Sequence, residues 1–138
     1  MADYKLGFKK VMFEEGCGDW TNTPGDNGAE TFSGISRKFH PNWKGWIIID
    51  AAKKLPGFPT SLKNNLQLQV LVESFYKVEF WDKIGGDLIK IDQVAIQIFD
   101  TAVNMGIPAA IKFAQQAMGI PETGIADAKY FKSLNLIV

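Results

Sequence analysis

Near the start of the chain Phe8, Val11, Met12 and Glu15 fall at i, i+3, i+4 and i+7, the spacing of one helical face. Gly16 follows where helices commonly stop, so the pattern predicts a first helix over about Tyr4 to Glu15. Gly16 to Gly28 then holds four of the 13 glycines together with Asn22, Pro24, Asp26 and Asn27, a density of turn formers that a helix does not tolerate. A loop or short β-hairpin is expected there, with Trp20 to Asn22 and Thr31 to Ser33 as its two strands. Pro41, Pro56 and Pro59 cut residues 36 to 60 into short pieces, leaving room for one brief helix over Ile47 to Lys54.

Helical periodicity returns with Leu66, Val70, Phe75, Val78 and Trp81, which predict a long helix ending before Gly85-Gly86. A further helix is expected over Ile91 to Met105. Gly106 and Pro108 mark its end and the next start, and Ile111, Ala114, Gln115 and Met118 carry that next helix to Gly119. A last short helix is read over Asp127 to Leu134. The expected fold is mainly α, one domain over residues 1 to 138, with a small glycine-rich loop or hairpin after the first helix.

Composition supports that plan. A chain of 138 residues, 46% hydrophobic and 22% charged, can bury roughly two-thirds of its unfolded surface without disulfide or metal staples. Its 15 basic and 15 acidic side chains balance, and without a dense Lys/Arg run no nucleic-acid partner is expected. Cys17, the only cysteine, cannot form an internal disulfide and has no basic neighbour to lower its thiol pKa. No signal-peptide core precedes Lys10, and runs such as Trp46 to Ile49 are far too short to span a bilayer. The expectation is a monomer made in the cytoplasm without an ordinary export signal and without stable membrane insertion.

The glycine-rich region concentrates the candidate chemistry. Glu15 lies on the apolar stripe of the first helix, whereas Glu14 lies about 100° around it and can pair with Lys10. A carboxyl held against Phe8, Met12 and Trp20 has its charged form disfavoured, which raises its pKa toward the range of a general acid. The plainer reading is a glutamate that pairs near a helix end. Asp26, Glu30 and Thr31 follow within 16 residues on a turn that can fold back over the helix terminus. Two carboxyl groups across a cleft are the minimum for cleaving a glycosidic bond, one protonating the leaving oxygen and one activating water or balancing charge.

The string from Glu15 to Ile35, E-G-C-G-D-W-T-N-T-P-G-D-N-G-A-E-T-F-S-G-I, resembles the E-G-G-Y-x-N-x-P-x-D-x-G-G-x-T-x-x-G-I signature of glycoside hydrolase family 108. That family comprises phage-type N-acetylmuramidases, lysozyme-like endolysins among which some proteins are described as secretion activators. Tyr76 to Ile84, Y-K-V-E-F-W-D-K-I, is similar to the family's Y-x-x-x-Y-W-D-x-I. Phe99 to Gly106, F-D-T-A-V-N-M-G, is similar to its F-D-x-A-V-N-x-G, and Ala114 to Gly119 resembles the L-Q-x-A-L-G of the peptidoglycan-binding part.

The resemblance implies a lysozyme-like fold acting on peptidoglycan glycan strands, in the periplasm or outside the cell, with no cofactor or metal. Export would run through a membrane lesion or a secretion system. It implies Glu15 as the catalytic acid, with Asp26 and Thr31 positioning water or balancing charge. The chain departs from the signature at three places. Two extra residues separate Glu15 from the aromatic position, Trp20 stands where a tyrosine is usual, and Ala29 replaces the second glycine of the G-G pair. The C-terminal D-G-x-x-G-P-x-T is absent, so 107 to 138 resembles a truncated or divergent peptidoglycan-binding part.

Substrate contacts are expected from Trp20, Asn22, Glu30, Tyr76 and Asn104. Trp20 lies beside the proposed acid and can stack on a sugar ring, whereas Trp43, Trp46 and Trp81 are read as core. Asn104 either binds a sugar acetamido group or caps its helix, and Tyr76 fits core packing better than a cleft. Asp19, Asn22, Asp26 and Asn27 lack the order of an EF-hand, and His40 with Cys17 is too few soft ligands for zinc. No Lys-Ser or Lys-Thr follows the glycines as in a phosphate-binding loop.

Overall fold

A computed structural model describes residues 1–22 and 30–136. Six α-helices and one three-stranded antiparallel sheet are present among them: α1 (Tyr4–Glu15), β1 (Trp20–Asn22), β2 (Glu30–Phe32), β3 (Ile35–Ser36), α2 (Gly45–Ala52), α3 (Leu66–Tyr76), α4 (Asp92–Met105), α5 (Ile107–Ala117) and α6 (Ala128–Asn135). The expected mainly α fold with a hairpin after the first helix is what the chain adopts. No helix among the described residues is long and apolar enough to cross a membrane.

The chain divides into two compact units, Met1–Val11 with Tyr76–Val138, and Met12–Phe75. In the first, aromatic rings form the core. Trp81 meets Phe99 edge to face at 5.5 Å and Tyr4 at 5.4 Å, while Tyr76 stacks on Phe80 at 5.7 Å. Two of the downstream segments that carry the family resemblance, Tyr76 to Ile84 and Phe99 to Gly106, thus meet through Trp81 and Phe99, both fully buried. The long helix expected through Trp81 is α3 followed by a π-turn over Lys77–Trp81; a period read from apolar spacing does not distinguish the two coils. Trp81 donates its indole N–H to Asp87 at 2.9 Å.

Gly106, at φ +95, ends α4 and starts α5 at the predicted place. Buried Gln115 of α5 donates to Thr123 Oγ1 at 2.9 Å and accepts from the Gly124 N–H at 3.0 Å, holding the loop that leads to α6. Asp127 caps α6 by accepting from the Tyr130 N–H at 3.0 Å. The Tyr130 hydroxyl donates to the Ile84 carbonyl at 3.1 Å, and burial pushes its phenol pKa up. Asn135 donates to the Leu88 carbonyl at 3.0 Å and accepts from the Lys90 N–H at 3.1 Å.

In the second unit the sheet contributes Phe32 and Ile35, α2 Trp46 and Ile49, and α3 Leu68 and Val72 to the core, all buried. Trp43 packs against Phe32, Trp46 and Phe75, and Trp46 donates its indole N–H to the His40 carbonyl at 2.8 Å. Trp43, Trp46 and Trp81 are therefore packing residues, as expected of tryptophans in a small helical domain. Asn65 starts α3 by accepting from the Leu68 N–H at 2.9 Å.

Gly86 gives the fold a sharp test, because a Cβ built there would clash with the Trp81 indole. Gly86→Ala is expected to lower unfolding free energy by about 1–3 kcal/mol through overpacking, measured by urea unfolding. An unchanged midpoint would contradict this packing.

Candidate active site

Glu15 is the last residue of α1 and is half-buried. The helix ends there because Gly16 takes φ +81, letting the Gly16 and Cys17 N–H groups both return to the Met12 carbonyl, at 3.2 and 3.1 Å. The following residues are stitched to the β2–β3 turn. Gly18 donates its N–H to Ser33 Oγ at 2.8 Å, and the Ser33 N–H donates to the Asp19 carbonyl at 2.9 Å. Ser33 and Gly34 have φ of +49 and +81, the left-handed pair of a two-residue hairpin turn between the Phe32 and Ile35 partners. Gly18 and Asp19, which fall within the stretch lengthened relative to the family signature, are thus part of the clasp that joins the end of α1 to β2.

Register divides the hairpin residues between the two faces of the sheet. Thr21, Thr31 and Ser36 are paired across the three strands, so their hydroxyls form a row on one face. Trp20, Asn22, Glu30, Phe32 and Ile35 belong to the other. Thr31 is half-buried and Asn22 exposed. Glu30 and Thr31, neighbours in sequence, therefore point to opposite faces. Asp26 lies outside the described residues.

Glu30 is only 6% exposed, and both of its carboxylate oxygens are engaged. Oε1 accepts from Arg37 at 2.8 Å, while Oε2 accepts from the Trp20 indole N–H at 2.7 Å and meets Lys53 Nζ at 2.6 Å. Arg37 also forks onto Asp50, Nη1 to Oδ1 at 2.7 Å and Nη2 to Oδ2 at 2.8 Å. Lys53 closes the circuit onto Asp50 at 3.3 Å. The four side chains form a ring of alternating charge, Glu30–Arg37–Asp50–Lys53, that ties the hairpin to α2. The Arg37 guanidinium also lies 5.2 Å over the Trp46 ring, and Lys53 Nζ lies 5.8 Å over Trp20. Phe58 meets Trp20 edge-on at 4.7 Å.

The ring sets the charge states. Burial alone would push the Glu30 carboxyl up, but hydrogen bonds from Lys53, Arg37 and Trp20 outweigh it and hold Glu30 below its ordinary value. The Arg37 fork pulls Asp50 down to about 2. Arg37, bonded to Asp50 and Glu30, is raised.

The structure thus places Glu15, Trp20, Asn22, Glu30 and Thr31 in one unit, with Glu15 and Thr31 linked through the clasp. Tyr76 and Asn104 belong to the other unit. Tyr76 is 2% exposed, in keeping with the packing reading. Asn104 is exposed and donates to the Asp100 carbonyl one turn back at 2.9 Å, bonding along α4. Sequence reasoning missed Ser33, Arg37, Asp50 and Lys53. One signal was available, since Arg37 is the only arginine among 15 basic residues and its planar fork suits two carboxylates as lysine does not. No group of three or more His, Cys, Asp or Glu among the described residues is placed to hold a metal ion.

The chain matches the family model described as Glycosyl hydrolase 108 over residues 8–106. Among solved structures, SagA of Brucella abortus superposes with a TM-score of 0.61 at 20% identity, covering 98% of this chain and 70% of that one. At that identity the likeness speaks for the fold. No curated protein matches the chain.

Because Glu30 and Asp50 both titrate below their ordinary values when folded, their contribution is complete above the unfolded pKa values and is lost as pH falls through the folded ones. Stability is expected to decline between about pH 4.3 and about pH 2. Glu30→Gln should flatten that decline, read from urea unfolding across the range. An equal slope in wild type and variant would contradict the ring's ionisation.

Proposed function

Since the chain belongs to the glycosyl hydrolase 108 family, we propose that it hydrolyses the β-1,4 bond between N-acetylmuramic acid and N-acetylglucosamine in peptidoglycan. The observation that carries this reading is the clasp. It joins the segment just after Glu15, a half-buried residue at the end of α1, to the turn that follows the strand bearing Thr31, and these are the two residues to which the family resemblance gives the acid and the water-positioning roles.

In this reading Glu15 gives its proton to the glycosidic oxygen as the C1–O bond breaks, leaving a free 4-hydroxyl on N-acetylglucosamine. Water attacks C1, oriented by the Thr31 hydroxyl, and its proton passes to the Asp26 carboxylate. The products are a reducing muramic acid end and a regenerated pair of carboxyl groups after proton exchange with solvent. No cofactor enters. Trp20, with its N–H held by Glu30 and Lys53 over its face, supports the hairpin. Residues 107–138 act with the rest as one functional domain, as a monomer, on the wall outside the cytoplasm.

The test is mass spectrometry of soluble products after incubation with purified sacculi. Wild type is expected to release muropeptides with reducing muramic acid ends, and Glu15→Gln to lower the rate by at least about 100-fold, the scale of a lost general acid. Anhydro ends would replace hydrolysis by transglycosylation. Sacculus binding with no released products would replace catalysis by a wall-binding role.

A further inference from the structure

We propose that Arg37 is a positioning residue for the reaction, holding the hairpin in one placement through the closed charge ring. The inference rests on the muramidase reading for its kinetic consequence and on the ring alone for its structural one. Glu30 opens β2, and its neighbour Thr31 on the same strand orients the proposed water. Whatever fixes Glu30 therefore fixes the strand that carries Thr31.

Three features single out Arg37 among the ring's members. It alone forks onto Asp50 with two nitrogens while bonding Glu30, all at 2.7 to 2.8 Å, whereas Lys53 reaches Asp50 with one nitrogen at 3.3 Å. Its backbone N–H also donates to the Glu30 carbonyl at 2.9 Å, extending the β2–β3 ladder by one residue. Its guanidinium is stacked over Trp46, which is itself only 2% exposed and tied to His40. Backbone, fork and stacking restrain the same side chain, so its geometry passes into the strand rather than being lost as side-chain motion. Lysine at this place keeps the charge but loses the fork.

Nothing in this arrangement places Arg37 against the glycan, because its side chain lies on the Glu30 face and Thr31 points to the other. Its removal should therefore act on turnover rather than on binding. Displacing a reacting group by about 1 Å can cost as much as about 100-fold in rate.

The experiment compares Arg37→Met, Arg37→Lys and Asp50→Asn with wild type in three readouts on the full chain. Sacculus hydrolysis is expected to show kcat lowered at least about tenfold in Arg37→Met with KM within about twofold, partial recovery in Arg37→Lys, and a smaller loss in Asp50→Asn. Amide hydrogen exchange is expected to accelerate at least about tenfold in residues 20–22 and 30–36 of Arg37→Met, with α4 and α5 unchanged. Urea unfolding establishes that each variant compared is folded, and Asp50→Asn, altered only at a half-exposed carboxylate, serves if Arg37→Met does not fold. Unchanged kcat per folded molecule, or unchanged hairpin exchange, overturns the proposal. If wild type releases no products, the muramidase reading falls, and the hairpin exchange alone still decides whether Arg37 fixes the strand.

Discussion

A carboxylate taken out of water must be given partners, and Glu30 is the group on which the second unit turns. Its burial would be prohibitive alone. With Arg37, Lys53 and the Trp20 indole around it, the charge is retained and the surrounding elements are drawn to one point. The ring balances two positive against two negative charges, so the unit gains connections without accumulating charge. Arg37 and Lys53 remain about a third exposed, and water therefore screens part of each attraction. The ring's value is in specifying where the hairpin lies more than in adding stability.

That specification leaves the opposite face of the sheet available for chemistry. Trp20, Phe32 and Ile35 share the face of Glu30, so alternation alone puts the hydroxyls of Thr21, Thr31 and Ser36 on the other. The clasp from Gly18 and Asp19 to Ser33 then ties the end of α1 to the same strand. An acid at a helix end and a hydroxyl on a strand are thereby held by backbone hydrogen bonds and a tight turn rather than by a long loop. Rigid support of this kind suits a reaction whose barrier depends on where a proton and a water are placed.

The helices were legible because their signals are local. Gly16, Gly106 and Pro108 mark ends that the structure keeps, and the apolar faces of α1, α4 and α5 repeat at the expected interval. The second strand is Glu30–Phe32 rather than the expected Thr31 to Ser33, because Ser33 adopts a left-handed turn conformation that few serines take. The brief central helix starts at Gly45, two residues before the expected Ile47, where the Trp43 ring leaves no room for a Cβ. β3 is too short to leave a periodic trace. The candidate acid and the hairpin could be read from the signature at Glu15 to Ile35, but the ring could not. Its members are separated by 7, 13 and 3 positions along the chain, and only folding brings them together. Read locally, Glu30 is one more acid beside a glycine-rich turn, whereas in the structure both its oxygens serve the scaffold.

The central claim is that glycan chemistry takes place on the hydroxyl face beside the end of α1. It is tested most directly by a crystal structure of Glu15→Gln bound to a tetrasaccharide of alternating N-acetylglucosamine and N-acetylmuramic acid. The account predicts the scissile oxygen within hydrogen-bond reach of the side chain at position 15, with the Thr31 hydroxyl directed at the water facing C1. A glycan bound on the Trp20 and Glu30 face, or bound with its bridging oxygens remote from position 15, would contradict it.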